Sequence, residues 1–282
     1  MSYIELKDVS FTYPNGNVAL ENVSLDLEKG ERVAIIGQNG AGKTTMVKLI
    51  NGLLKPSKGE IIIDGKNIRK LSAAKNSRQV GYSFQNPDDQ IFNKDVYSEI
   101  AFGLKRMKVE KTELEDRVQA AARLCNLGRL LDENPYDLSL SKRKFVAIAS
   151  VIVMDTKIVI LDEPTAGQDK AGIECLAGII DSLGRKGKTV VAISHDMEFV
   201  ADNFKRCVVM AQKHKIADDG TKTVFWNPGI LAEAKLKQPH ISSLCNKLGI
   251  EERILSIDEF VRYVEAQCPN HNPPQKELNI EK

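Results

Sequence analysis

Gly37-Gln-Asn-Gly-Ala-Gly-Lys43-Thr44-Thr45, directly after the apolar run Arg32-Val-Ala-Ile-Ile36, decides the reading of this chain. It matches G-x-x-x-x-G-K-[ST], and its placement is the one a phosphate-binding loop needs. A buried strand delivers the loop, and Gly37, Gln38, Asn39, Gly40, Ala41 and Gly42 let backbone N–H groups close around a β-phosphate. A helix starting near Lys43 then points its positive end at the anion. Lys43 adds a point charge on the β/γ oxygens, Thr44 offers a hydroxyl to Mg²⁺, and Thr45 completes the cradle. The competing reading is a glycine-rich strand-to-helix turn with an incidental Lys-Thr; the strand before and the helical pattern Thr45–Asn51 after favour the phosphate loop.

Composition narrows the class. The 282 residues allow one large or two small domains, and 42% apolar content supplies a substantial core. A net charge of +2 with 28% charged residues is not the strong positive excess of a polybasic nucleic-acid binder, so no nucleic-acid partner is expected. No apolar run reaches the length of a membrane span, and Met1-Ser2-Tyr3 does not open a signal peptide, so a membrane role is expected to be peripheral. Cys125, Cys175, Cys207, Cys245 and Cys268 are odd in number and include no C-x-x-C pair, which argues for neither a disulfide framework nor a zinc site and points to a reducing cytosol.

Tyr3–Val9 and Val23–Leu27 alternate apolar and polar residues, as antiparallel strands with one covered face do. A further strand pair is expected at Glu60–Ile63 and Val80–Phe84, and a mostly helical region from Val96 to Val153, broken near Asn134-Pro135. Lys157–Leu161 and Thr189–Ile193 are apolar throughout and alternate with helical patterns, which places them in a parallel sheet covered on both faces. Short amphipathic helices are expected at about Ile230–Leu236, Ile241–Leu248 and Ile257–Val264, followed by a polar, frayed tail over residues 267–282. The sequence contains no internal repeat, so a tandem duplicate of the nucleotide domain is not expected.

Ile158-Val-Ile-Leu161-Asp162-Glu163 is an apolar strand ending in two carboxylates. Asp162 there can hold Mg²⁺, and Glu163 can polarise the water that attacks a γ-phosphate. Two acids at a strand end could instead cap the next helix; their company with a phosphate loop favours catalysis.

With these residues in view the chain resembles the ATP-binding-cassette ATPases, over approximately residues 1–225. The resemblance implies an α/β fold, an ABC-type P-loop NTPase with an antiparallel β subdomain, a helical subdomain (about 96–153) and a small C-terminal helical extension. It implies an ATPase domain over 1–228, a dimerisation extension over 229–266, and ATP and Mg²⁺ as ligands. Tyr13, before the Pro14-Asn-Gly16 turn, sits where the family has its adenine-stacking aromatic; otherwise it is an ordinary strand aromatic. Gln85 matches the Q-loop glutamine that touches Mg²⁺ or the water and senses the membrane partner. His195, in Ser194-His195-Asp196 after a core strand, matches the switch histidine at the γ-phosphate, and Asp169 resembles the D-loop aspartate. Glu163, His195 and Lys43 are thus the expected catalytic residues, and Thr44, Gln85 and Asp162 the expected metal-contacting ones.

Phe84-Gln85-Asn-Pro-Asp88-Asp89-Gln90-Ile91-Phe92 is similar to the Q-loop segment of energy-coupling-factor vitamin and metal importers, and Pro239–Leu244 with Ile257–Phe260 to their C-terminal extension. One motif departs from the family. Its signature, Leu-Ser-Gly-Gly-Gln, is here Leu138-Ser139-Leu140-Ser141-Lys142. Ser139, whose hydroxyl reaches the partner's γ-phosphate in the family, remains, but both glycines that permit close backbone approach are gone. Gln168 replaces the usual D-loop leucine. The resemblance therefore implies a heterodimer with a second, unlike ATPase rather than a homodimer, together with a transmembrane coupling protein and a membrane-embedded substrate binder, at the cytoplasmic face of the cell membrane. A soluble cassette ATPase, or the ATPase of another ABC transporter subclass, is the alternative; the stretch between Gln85 and Leu138 is too short for the coiled-coil insertion of the DNA-repair kind.

Overall fold

The computed structural model describes residues 2–267, so the expected tail, save Gln267, and Cys268 lie outside the described residues. β1 (Ile4–Thr12) and β2 (Val18–Leu27) pair antiparallel, with Ile4, Leu6 and Val9 turned into a core and Glu5 and Lys7 turned away from it. β3 (Arg32–Gly37) is buried from Val33 to Gly37 and delivers the loop before α1 (Lys43–Asn51). β4 (Lys58–Ile63), β5 (Lys66–Asn67), α2 (Ala73–Asn76) and β6 (Val80–Ser83) follow. The helical region is three helices, α3 (Val96–Arg106), α4 (Lys111–Leu124) and α5 (Leu140–Ile152). Between α4 and α5 the Asn134 side chain accepts the Tyr136 N–H and Pro135 opens a short 3₁₀ turn. β7 (Ile158–Asp162), α6 (Lys170–Arg185), β8 (Thr189–Ile193), α7 (Met197–Asn203), β9 (Arg206–Ala211), β10 (His214–Gly220) and α8 (Thr221–Phe225) complete the main body.

Two sheets result, ordered β2-β1-β4-β5 and β10-β9-β3-β8-β7-β6. The second is parallel except at β9–β10. The expected pairing of Glu60–Ile63 with Val80–Phe84 is corrected: Ile63 of β4 lies opposite Ile4 of β1, whereas Val80 of β6 lies beside Ile158 of β7. The reason is in the burial of the two strands. β4 buries Ile61 and Ile63 but leaves Ile62 partly open, as in a sheet with one covered face, while all four residues of β6 are buried, as in a parallel sheet covered on both. The main sheet divides two apolar cores: Val33 and Ile35 face one with Leu6, Met46 and Ile50, and Ala34 and Ile36 face the other with Ile100, Phe145 and Ile180.

Three C-terminal helices follow, α9 (Pro228–Ala234), α10 (His240–Lys247) and α11 (Ile257–Gln267). The expected boundary at 228/229 falls at the first turn of α9, whose Leu231 and Ala234 are buried in the same core as β9. α10, its following residue Leu248 and α11 carry the exposed apolar residues Leu244, Leu248, Ile257, Val261 and Val264. No helix among the described residues is long and apolar enough to cross a membrane.

Candidate active site

The loop after β3 closes on itself through Lys43. Its Nζ donates to the carbonyls of Gly37 (2.7 Å) and Gln38 (3.0 Å), so the ammonium is fixed inside the loop. Gly37 must be glycine because a Cβ there would strike the Met210 carbonyl of β9. Gly42, at φ 99°, turns the chain into α1 without a capping side chain, which leaves the first amides of α1 free for an anion. Ala41 is buried in the core beneath the loop. Asn39, Gly40, Gly42, Lys43, Thr44 and Thr45 line a cleft of about 440 Å³ together with Tyr13, Gln85, Glu163 and His195. Tyr13 stands edge-on to Phe11 and shares a 3.0 Å hydrogen bond between its hydroxyl and that of Thr45.

Asp162 ends β7 beside the cleft, 1% exposed; it accepts from the Tyr82 hydroxyl (2.7 Å) and from Thr44 Oγ1 (3.4 Å). The Thr44 hydroxyl and the Asp162 carboxylate are a pair of hard oxygens beside the phosphate loop, a donor set that suits Mg²⁺ shared with phosphate oxygens and water. Burial raises the Asp162 carboxyl above its usual range, against the opposing pull of the Tyr82 and Thr44 hydrogen bonds and of Lys48 and Lys43. Glu163, the next residue, has φ 50°, a left-handed backbone costing roughly 1–2 kcal/mol for an L-residue. Its N–H donates to Ile193 of β8 at 3.0 Å, and its carbonyl accepts from Lys144 Nζ at 2.8 Å. Burial also raises the Glu163 carboxyl, with Lys43 the main opposing charge. His195 follows β8, and its Nε2 lies 3.0 Å from Glu163 Oε1 and 3.3 Å from Lys43 Nζ. One ring nitrogen can donate to the first or accept from the second, not both. Burial and the nearby Lys43 charge lower the His195 pKa, which favours the neutral ring.

The arrangement can seat a polyphosphate on the loop amides and Lys43, hold hard-oxygen ligands at Thr44 and Asp162, and aim a buried carboxylate at the end of the phosphate chain. The pattern of the ABC transporter family matches residues 20–166. The chain is 37% identical to the energy-coupling factor transporter ATP-binding protein EcfA of Methanocaldococcus jannaschii over 280 residues, 95% of this chain and 100% of that protein. This chain belongs to the ABC transporter ATP-binding family, in its energy-coupling-factor branch. It spans about half the length of some relatives, 46% of a Methanosarcina mazei protein at 41% identity and 44% of a Methanosarcina acetivorans one at 36%. Among solved structures, cbiO1 from Clostridium perfringens, part of the transporter complex cbiONQ, superposes with TM-score 0.74 at 33% identity, covering 87% of this chain and 99% of that one. A dimeric ATP-binding cassette in a post-hydrolysis state with ADP and Pi superposes at 0.72 and 26% identity, covering 77% and 98%.

Ser139, expected at a partner's nucleotide rather than at this chain's own, lies outside this cleft. It caps α5, its hydroxyl accepting the Lys142 N–H at 3.3 Å. Leu140 is 46% exposed beside it. Two of the residues that depart from the ABC pattern are joined: Ser141 Oγ donates to Gln168 Oε1 (2.6 Å), and Gln168 Nε2 donates to the Ser141 carbonyl (3.4 Å). Asp169 caps α6 by accepting the Gly172 N–H. In the Q-loop segment, Gln90 accepts from Phe84 N–H and donates to Ala147 O and Ser150 Oγ, while Asp88 pairs with Arg143, so the segment is pinned to α5. Phe92, 62% exposed, packs edge-on against Phe102 at the rim of a groove that also includes Leu53 and Met154. Sequence reasoning missed Tyr82, Lys144 and the Ser141–Gln168 pair. For Tyr82 the signal was an aromatic three residues before Gln85; for Lys144, the last lysine of Lys142-Arg143-Lys144, directly before the apolar run that starts at Phe145.

Proposed function

We propose that this chain binds and hydrolyses ATP as one of two unlike ATPases of an energy-coupling-factor importer of a vitamin or metal ion. The observation that carries this reading is the cleft, in which the loop cation Lys43, the buried carboxylate Glu163 and the ring of His195 meet within hydrogen-bonding distance. In this proposal Lys43 and the amides at the start of α1 bind the phosphates, Tyr13 takes the adenine, Glu163 orients and deprotonates the attacking water, and His195 steadies that carboxylate near the γ-phosphate. Mg²⁺, when bound by Thr44, Asp162 and Gln85 with the phosphates, neutralises charge on the β/γ oxygens.

The remainder of the reading concerns assembly. Ser139 at the start of α5 faces the nucleotide of a second ATPase, and the exposed Leu140 makes that shared site the weaker one, which favours a heterodimer over a homodimer. The exposed apolar residues of α10 and α11 support a dimerising role for the extension. The groove beside Phe92 receives the transmembrane coupling protein, which in turn serves a membrane-embedded substrate binder, so the chain works peripherally at the cytoplasmic face of the membrane. Purification from detergent-solubilised membranes, with identification of its companions, tests this assembly: an unlike ATPase and an integral membrane protein are expected, and recovery of the chain alone in active form would overturn it.

A further inference from the structure

Lys144 is 6% exposed in the second turn of α5 and forms no ion pair among the described residues. A buried ammonium without a carboxylate partner is costly, and such lysines are kept where they do a job. Its Nζ donates a 2.8 Å hydrogen bond to the carbonyl of Glu163. That carbonyl belongs to the one residue of the strand end whose backbone is left-handed, at φ 50°. The Glu163 N–H is already anchored to β8, so the lysine fixes the other half of the same residue's backbone. The two anchors together set the direction in which the carboxylate leaves the chain.

The helix that carries Lys144 is the one capped by Ser139. A rigid helix thus connects the signature end, five residues away, to the carboxylate of the same chain's cleft. We propose that Lys144 is a positioning residue for ATP hydrolysis, holding the Glu163 backbone in the conformation that aims its carboxylate and registering it to the signature helix. This rests on the reading of Glu163 as the base. The positive charge of Lys144 also acts on the Glu163 carboxylate, opposing the effect of its burial, as well as binding the carbonyl.

The test uses the purified transporter complex with its other ATPase inactivated. Lys144→Met removes donor and charge at similar length; Lys144→Arg keeps both. The expected result for Lys144→Met is a fall in kcat on the order of ten- to a hundredfold, the scale of a misplaced catalytic group, with KM and ATP binding changed less than about twofold, since the phosphate loop is untouched. Lys144→Arg should recover most of the rate. In a Glu163→Gln background Lys144→Met should cost nothing further, because no base remains to be aimed. Should Lys144→Met fail to fold, Lys144→Leu, which also lacks donor and charge, carries the same comparison. An unchanged kcat, a loss shared equally by kcat and binding with no rescue by arginine, or a full further loss on top of Glu163→Gln would overturn the proposal. Normal hydrolysis by Glu163→Gln alone would instead remove the base assignment, which separates the two failures.

Discussion

Two helix starts in this molecule have opposite designs. α1 begins at Gly42, which has no side chain to offer, so its first amides stay free; α5 begins at Ser139, which caps Lys142 itself, with Leu140 exposed alongside and Ser141 tied to Gln168. An open start is a ready anion site, whereas a capped start has already satisfied part of its own demand. In the proposed heterodimer the difference means that this chain keeps its own nucleotide cleft complete while offering less to its neighbour's.

The largest effect should come from Glu163→Gln, which keeps shape and removes the basic oxygen. Hydrolysis at the open-start site should drop roughly 10²–10⁴-fold, the usual worth of a general base, with ATP binding retained; single-turnover rates in a complex whose other site is disabled measure it, and a normal rate would break the reading of the cleft. Lys43→Ala strikes the open start itself. About 3 kcal/mol of phosphate stabilisation should be lost, seen as weak binding of MgATP and low turnover, and unchanged activity would end the comparison at its root.

Tyr13→Ala should raise the half-saturating ATP concentration more than it lowers the maximal rate, because stacking on adenine is remote from the chemistry and contributes roughly 1–3 kcal/mol. An unaltered half-saturation point would return Tyr13 to a strand aromatic packed on Phe11. The smallest effect sharpens the comparison most. Leu140→Gly, Ser141→Gly and Lys142→Gln together should open the start of α5 and raise turnover at the partner's nucleotide by about 1 kcal/mol, one hydrogen bond's worth. The rate is read in a complex carrying Glu163→Gln, and no gain there, or vigorous hydrolysis by the isolated wild-type chain, would break the asymmetry.

Much of the cleft was legible because its chemistry is written in short strings. The loop 37–45, the acidic strand end 162–163, Gln85 and His195 each follow a core strand, and continuous apolar runs mark such strands. β9 and β10 went unnamed although Cys207-Val-Val-Met-Ala211 is such a run, because no motif follows it to draw the eye. The β4–β6 error arose because pairing is a property of distant partners: β4 meets β1, where Ser10 lies opposite Lys58 and Ile4 opposite Ile63, and sequence proximity said nothing of it. The contacts of Lys144, Tyr82 and Gln168 were hidden for the same reason. Each is a side chain reaching across elements, and local spacing carries no record of where it lands.

β3 is a party wall. With Ile35 on one side and Ile36 on the other, it stands with β7, β8 and β9 in the one partition on which both compartments lean. Neither compartment can be emptied without loosening the partition that the other also needs. Damage to β3 should therefore be felt as the melting of the whole body at once, and the loop that this strand carries should lose its shape at the same temperature as the helices furthest from it.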